Sequence, residues 1–118
     1  MQKKYRLTSS RSFDYAYKHG ESYVDRFLVL YVLKSKYPTP KVGFSVGKRV
    51  GCSVIRNRTK RRLREAFRKE FARVEKGYNY VVVARTASAE RTYDELRQSL
   101  LSLLEGAGKL KLAESEEK

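Results

Sequence analysis

Residues 43–71 constrain this chain more than any other stretch. They read Gly-Phe-Ser-Val-Gly-Lys-Arg-Val-Gly-Cys-Ser-Val-Ile-Arg-Asn-Arg-Thr-Lys-Arg-Arg-Leu-Arg-Glu-Ala-Phe-Arg-Lys-Glu-Phe. A strand runs into a glycine-flanked basic turn and then into a helix. Ile55, Thr59, Leu63, Ala66, Phe67, Phe71 and Val74 recur at three- and four-residue steps, which puts them on one helical face. Asn57, Arg61, Arg64 and Arg68 form the opposite face, with Arg58, Arg62, Glu65 and Lys69 in a second polar row. Asn57 to Arg68 covers roughly 16 Å, enough to follow several phosphates of a nucleic-acid backbone. Glu65 is the only acid between Gly43 and Lys69. Like charges four residues apart cost a few tenths of a kcal/mol each, so the face favours a polyanionic partner. The alternative is a solvated face that uses arginine and lysine for helix propensity. Arg56 and Lys60 fall near the apolar side, which predicts that this helix end overhangs the core or lines a groove. Ser53 is the expected N-cap and Gly77 the expected end of the helix.

The charge balance of the whole chain agrees. Its 118 residues form one domain with a net charge of +14 and a pI near 10.1, which calls for an anionic partner, nucleic acid before a membrane surface. No apolar run approaches the ~20 residues of a membrane span, and no secretory pattern opens the sequence. A lone Cys52 excludes an internal disulfide and fits a reducing cytoplasm.

The remaining segments predict a small α+β sandwich in the order helix, three strands, helix, strand, helix, with a mostly antiparallel sheet. After a basic arm over 1–7, Thr8-Ser9-Ser10 can cap a helix over 11–19, stopped by Gly20. Phe13, Ala16 and Tyr17 share its face, and their rings either pack on the sheet or stack on bases. A short strand is expected over 21–25. The run 27–33 is apolar on both faces, so it reads as a central strand. The loop 34–41 holds Pro38 and Pro40, and the strand 41–46 is expected to pair with 27–33 as a hairpin. A further strand covers 78–85. Thr92-Tyr93-Asp94-Glu95 matches a capping box for a last helix that buries Leu96, Leu100, Leu103 and Leu104 and ends near Gly106. Residues 1–108 make up the domain, and the charged tail 109–118 is expected to be disordered.

Catalytic chemistry finds little support. His19 is the only histidine and reads as a residue at a helix C-terminus. Cys52 has basic neighbours but no histidine near it in sequence to act as base. No Cys/His set has zinc spacing, and the acids lie on different elements. Gly47-Lys48-Arg49-Val50-Gly51 is not a P-loop, although its amides and cations can hold a phosphate. Binding remains: tyrosines and phenylalanines interleave with cations, as in proteins that stack unpaired bases while following the backbone.

Phe44-Ser45-Val46-Gly47-Lys48-Arg49-Val50-Gly51, then Val54 and Ile55, then Arg56-Asn57-Arg58-Thr59-Lys60-Arg61 with Arg64 and Glu65, resembles the signature of the bacterial ribonuclease P protein component family. Phe13 with Tyr17-Lys18-His19-Gly20, the strand 27–31, residues 80–85 and residues 93–104 extend the resemblance over about 6–104. Cys52, Ser53 and Tyr17 are small departures from the pattern. The resemblance implies an α-β sandwich with a left-handed crossover around the basic helix, against the usual right-handed rule. It implies a cytoplasmic subunit that binds a catalytic RNA and the 5′ leader of precursor tRNA and assists endonucleolytic removal of that leader. The RNA would hold the magnesium ions and carry the hydrolysis, leaving the protein without catalytic residues or metal ligands. Carried over by position, Lys48, Arg49, Arg56, Asn57, Arg58, Lys60, Arg61 and Arg64 would contact RNA, with Arg68 on the same row. Phe13, Tyr17 and Tyr31 would line a leader cleft. The rival readings are a ribosomal or other structural RNA-binding protein and, third, a stand-alone nuclease.

Overall fold

The structure, a computed structural model, describes residues 5–110; the expectations for 1–4 and 111–118 fall outside them. Helix α1 (Ser10–His19) starts where Ser9 Oγ accepts the Ser12 amide at 3.1 Å, and it stops at Gly20, whose amide donates to the Ala16 carbonyl at 2.8 Å. Strands β1 (Glu21–Val24), β2 (Leu28–Lys34) and β3 (Val42–Val46) follow, then α2 (Ser53–Glu70), β4 (Tyr78–Ala84) and α3 (Tyr93–Gly106). The expected capping box closes α3: Thr92 Oγ1 accepts the Glu95 amide and Glu95 Oε1 accepts the Thr92 amide, each at 3.1 Å.

The sheet order is β1-β2-β4-β3. β2 pairs antiparallel with β1 and β4, whereas β3 pairs parallel with β4. The expected β2–β3 hairpin is therefore corrected, because β4 lies between the two strands. Tyr80, Val81 and Val82 are buried on successive residues, so β4 needs cover on both faces and takes a central place. A parallel β3–β4 pair then requires a crossover, and α2 supplies it.

One face of the sheet offers Leu28, Leu30, Val42, Phe44, Tyr80 and Val82 to Leu63, Ala66 and Phe67 of α2 and to Leu96, Leu100 and Leu104 of α3. α1 crosses the other face, burying Ala16. The segment before α1 lies along β3: Arg6 bridges Val42, and the Leu7 amide donates to the Val42 carbonyl at 2.9 Å. This covers part of a sheet edge that would otherwise present unpaired backbone groups.

Both expected ends of α2 shift. Its N-cap is Cys52, the last extended residue, and Ser53 already lies inside the helix. The C-terminal end comes at Glu70, followed by a 3-10 turn over Phe71–Arg73. Val74 continues the apolar period but is buried from extended backbone, bridged to Leu110, and Gly77 serves the turn before β4 with φ 86°. Glu70, which carries no apolar signal, is buried between Arg73 at 2.8 Å and Arg97 at 3.5 Å. Lys109, the first residue of the expected tail, accepts the Glu75 amide at its carbonyl at 2.7 Å.

Candidate nucleic-acid interface

The apolar period of α2 seats Thr59, Leu63, Ala66 and Phe67 in the core, and this fixes where its cations point. Asn57, Arg61 and Arg68 are exposed; Arg58, Lys60 and Arg64 are half-exposed beside them. Among the described residues no carboxylate lies within ion-pair distance of Arg56, Arg58, Lys60, Arg61 or Arg64. Arg68 differs, because it forms a two-pronged pair with Glu65. The hydrogen bond raises the guanidinium pKa and holds the Glu65 carboxyl below its usual range. Arg62 is committed to the fold, its guanidinium donating to the Arg91 carbonyl at 2.6 Å.

Arg56 and Lys60, the two cations near the apolar side, part company. The Arg56 guanidinium folds back, donating to the Gly51 carbonyl at 3.1 Å and to Ser53 Oγ at 3.3 Å, and so ties the helix to the basic turn. Lys60 lines a narrow recess of about 110 Å³ with Arg64, Arg6 and Phe13. Burial, and then the Arg6 charge, pull the Arg64 pKa down, and the Nε atoms of Arg6 and Arg64 are buried without an acceptor among the described residues. A group of cations that lacks acceptors is suited to an anion. Arg6 is absent from the sequence-derived set. Its basic arm is visible in the sequence, but its position depends on the non-local pairing of residues 6 and 7 with β3.

Before α2, Lys48 and Arg49 stand exposed on a 3-10 turn (Lys48–Val50). They border an open hollow of about 370 Å³ together with Ser45, Arg85 and Thr86. The turn closes at Gly51, whose φ of 155° with ψ of −169° suits glycine, and whose missing Cβ leaves room for the Ile55 side chain.

The three candidate aromatics meet on the outer face of the sheet. Phe13 lies 6.4 Å from Tyr17, and Tyr17 lies 5.1 Å from Tyr31 on β2, centroid to centroid. Phe13 and Tyr31 are half-buried and Tyr17 is exposed, so the cluster is anchored at both ends and open between. Phe13 reaches the sheet only because residue 43 is glycine: a Cβ there would sit 2.8 and 2.9 Å from two atoms of the ring. We predict that Gly43→Ala costs about 1–3 kcal/mol in urea unfolding and displaces the Phe13 ring, visible in its proton shifts. Unchanged stability and shifts would show that α1 rides loosely on the sheet.

The residues weighed for catalysis stay apart from this cluster. His19 is exposed at the end of α1 with its ring 4.4 Å from Tyr15. Cys52 is exposed, and the Ile55 and Val54 amides at the start of α2 draw its pKa down. Among the described residues no three His, Cys, Asp or Glu side chains converge as metal ligands, and no helix is long and apolar enough to cross a membrane.

The geometry is thus a cationic helix face meeting an aromatic cluster at the Phe13 recess. Comparison with known proteins gives that arrangement a family. The family model described as Ribonuclease P matches residues 1–108. A ribonuclease P protein component from Symbiobacterium thermophilum is 47% identical over 111 residues, covering 93% of this chain and 96% of that protein. One from Clostridium kluyveri is 41% identical over 106 residues, covering 88% and 95%. Among solved structures, the Staphylococcus aureus RNase P protein matches with a TM-score of 0.84 at 30% identity, covering 91% of this chain and 98% of that one. The Thermotoga maritima RNase P protein matches with a TM-score of 0.78 at 28% identity, covering 86% and 96%. Matched over nearly its whole length in sequence and in fold, the chain belongs to the ribonuclease P protein family, protein subunits of the endoribonuclease that matures tRNA 5′ ends.

Proposed function

We propose that residues 1–108 act as one RNA-binding domain that grips the catalytic RNA of ribonuclease P and the 5′ leader of precursor tRNA at once. In this reading Lys48, Arg49, Asn57, Arg58, Arg61 and Arg68 follow phosphates, while Lys60 and Arg64 reach into the groove where Phe13, Tyr17 and Tyr31 stack leader bases. Arg56 holds the turn and the helix together and has further N–H groups with which to meet a phosphate. The observation that carries the proposal is the continuity of the α2 cations, without carboxylate partners among the described residues, with the aromatic cluster through the Lys60–Arg64–Phe13 recess. The magnesium ions and the hydrolysis belong to the RNA, and the protein's part is charge neutralisation and leader positioning. Work on tRNA and a single thiol fit the cytoplasm.

Six neutralised phosphates would weaken binding around a thousandfold between 50 and 200 mM salt. The test is cleavage of a precursor tRNA at low magnesium by a bacterial ribonuclease P RNA, with and without this protein. Correct 5′ processing is expected only with both components, and the protein alone is expected to be inert. Cleavage by the protein alone would revive the nuclease reading. No stimulation, with tight binding to ribosomal RNA, would favour the structural RNA-binding reading.

A further inference from the structure

α1 divides the outer face of the sheet into two flanks. Phe13 and Tyr17 turn toward one of them; Tyr15, two residues from each, lies about 200° around the helix from both. On its side, beyond the N-terminal half of α1, lies a second cavity of about 400 Å³, floored by Leu7, Leu33 and Asn79. That volume falls within the ordinary range for a small-ligand pocket, about 300–1,000 Å³. Tyr15 and Tyr37 line it, and at 54% and 70% exposed they are the most exposed aromatic side chains among the described residues. Arg11, Lys34, Lys36 and Lys41 surround them, and among the described residues no carboxylate lines the cavity.

The loop carrying Tyr37 is already set. The Tyr37 amide donates to Ser35 Oγ at 3.1 Å, and the Ser35 amide donates to the Gly77 carbonyl at 2.9 Å. The Gly77 amide returns a bond to the Pro38 carbonyl at 3.1 Å, and the Lys41 amide donates to Asn79 Oδ1 at 3.0 Å. Pro38 and Pro40 restrict the rest of the loop. Tyr15 packs against His19 at 4.4 Å. The loop backbone under Tyr37 and the ring of Tyr15 are thus set before any ligand arrives, which lowers the ordering cost of binding. Exposed rings over a floor with two leucines, and cations around them, suit an unpaired nucleotide: its base stacks and its phosphates meet the rim.

We propose that this cavity is a second single-strand site, which takes an upstream nucleotide of the precursor leader after the strand has passed the Phe13–Tyr17–Tyr31 groove. Leu7 walls both this cavity and the Phe13–Lys60–Arg64 recess, so the two are neighbours across one side chain. The inference rests on the leader reading above and adds a length requirement to it: only a leader long enough to reach Tyr15 and Tyr37 benefits.

The test uses the reconstituted holoenzyme and precursor tRNAs with a leader of about four or about twelve nucleotides, the range a single-strand site covers. Tyr15→Ala/Tyr37→Ala is expected to bind the long-leader substrate about tenfold more weakly, the value of one stacked base, and the short-leader substrate as before. Tyr15→Phe/Tyr37→Phe should bind both like the parent, since stacking needs the ring and not the hydroxyl. No loss on the long leader overturns the proposal, as does an equal loss on both, which would assign the cavity to the catalytic RNA. Both rings are exposed, so their removal leaves the core untouched. A parallel Tyr17→Ala/Tyr31→Ala variant separates the two readings. If it binds both substrates normally while the Tyr15/Tyr37 loss stays length-dependent, the groove assignment fails alone; if the reverse holds, this inference fails alone.

Discussion

A holoenzyme carrying Lys60→Ala/Arg64→Ala should bind precursor tRNA about a hundredfold more weakly than the parent, with far less change for mature tRNA. Both side chains line the recess beside Phe13, where the row of Asn57 and Arg61 borders it. Arg64 has the stronger claim, since its Nε is buried without an acceptor among the described residues and burial disfavours its charge in the free protein. A phosphate in the recess would satisfy that donor and offset the cost of burying the guanidinium charge. A charge-assisted hydrogen bond is worth about 1.5 kcal/mol or more net, so two make about 3 kcal/mol, near a hundredfold in affinity. The salt slope of precursor binding should also fall by about two, one for each phosphate that is no longer neutralised. Arg64→Ala alone should show the same preference for precursor over mature tRNA at about a tenth of the size. Arg64→Lys should recover only part of that loss, because a point charge does not replace the guanidinium fork. Equal losses on precursor and mature tRNA would show that these side chains serve the RNA subunit and not the leader.

Phe67→Ala should have the largest effect on stability, about 3–5 kcal/mol, read from urea or thermal unfolding. Phe67 is fully buried, edge-on to Phe44 of β3 at 6.1 Å and tilted against Tyr80 of β4 at 5.7 Å. It joins the basic helix to the two parallel strands, and the cavity left by its removal opens under the cationic face. For a domain of this size the melting temperature should drop by roughly 15 °C, a large part of a typical margin of 5–15 kcal/mol. Saturating RNA should return some of that loss by mass action, since the ligand binds the folded state. A shift under about 3 °C would mean that α2 is held by something other than this aromatic cluster. Gly43→Ala makes the contrast. That change strikes the outer face, where Phe13 crosses the sheet, and should disturb the groove more than the core.

Much of this architecture is legible in local pattern. Three- and four-residue steps in α2 sort Leu63, Ala66 and Phe67 from Asn57 and Arg61, because a helix turns by the same angle whatever it packs against. β2, apolar on both faces, reads as a central strand, and Thr92 with Glu95 marks the start of α3. The pairing of β3 is not legible in this way. A loop of turn residues between two apolar runs looks like a hairpin whether or not a third strand will come between them. Val74 misleads for a related reason: burial reached from extended backbone mimics one more helical turn. Arg56 likewise matches the helical wheel, yet the carbonyl that captures its guanidinium belongs to Gly51 in the preceding turn.

The chemistry of this protein is written in its residues: a cationic helix face with Glu65 as its only acid, a glycine-flanked basic turn, and rings at 13, 17 and 31. Those properties follow from residue type and short spacing, which need no knowledge of distant neighbours. Which of these groups meet is settled by tertiary packing. Placing β4 between β2 and β3 sends α2 across the sheet, lays residues 6 and 7 along β3, and brings Arg6, Lys60, Arg64 and Phe13 into one recess. The same topology sets Tyr15 beside the loop that holds Tyr37. Such meetings depend on burying apolar surface between segments far apart in the chain, and no local period records which partner wins that competition.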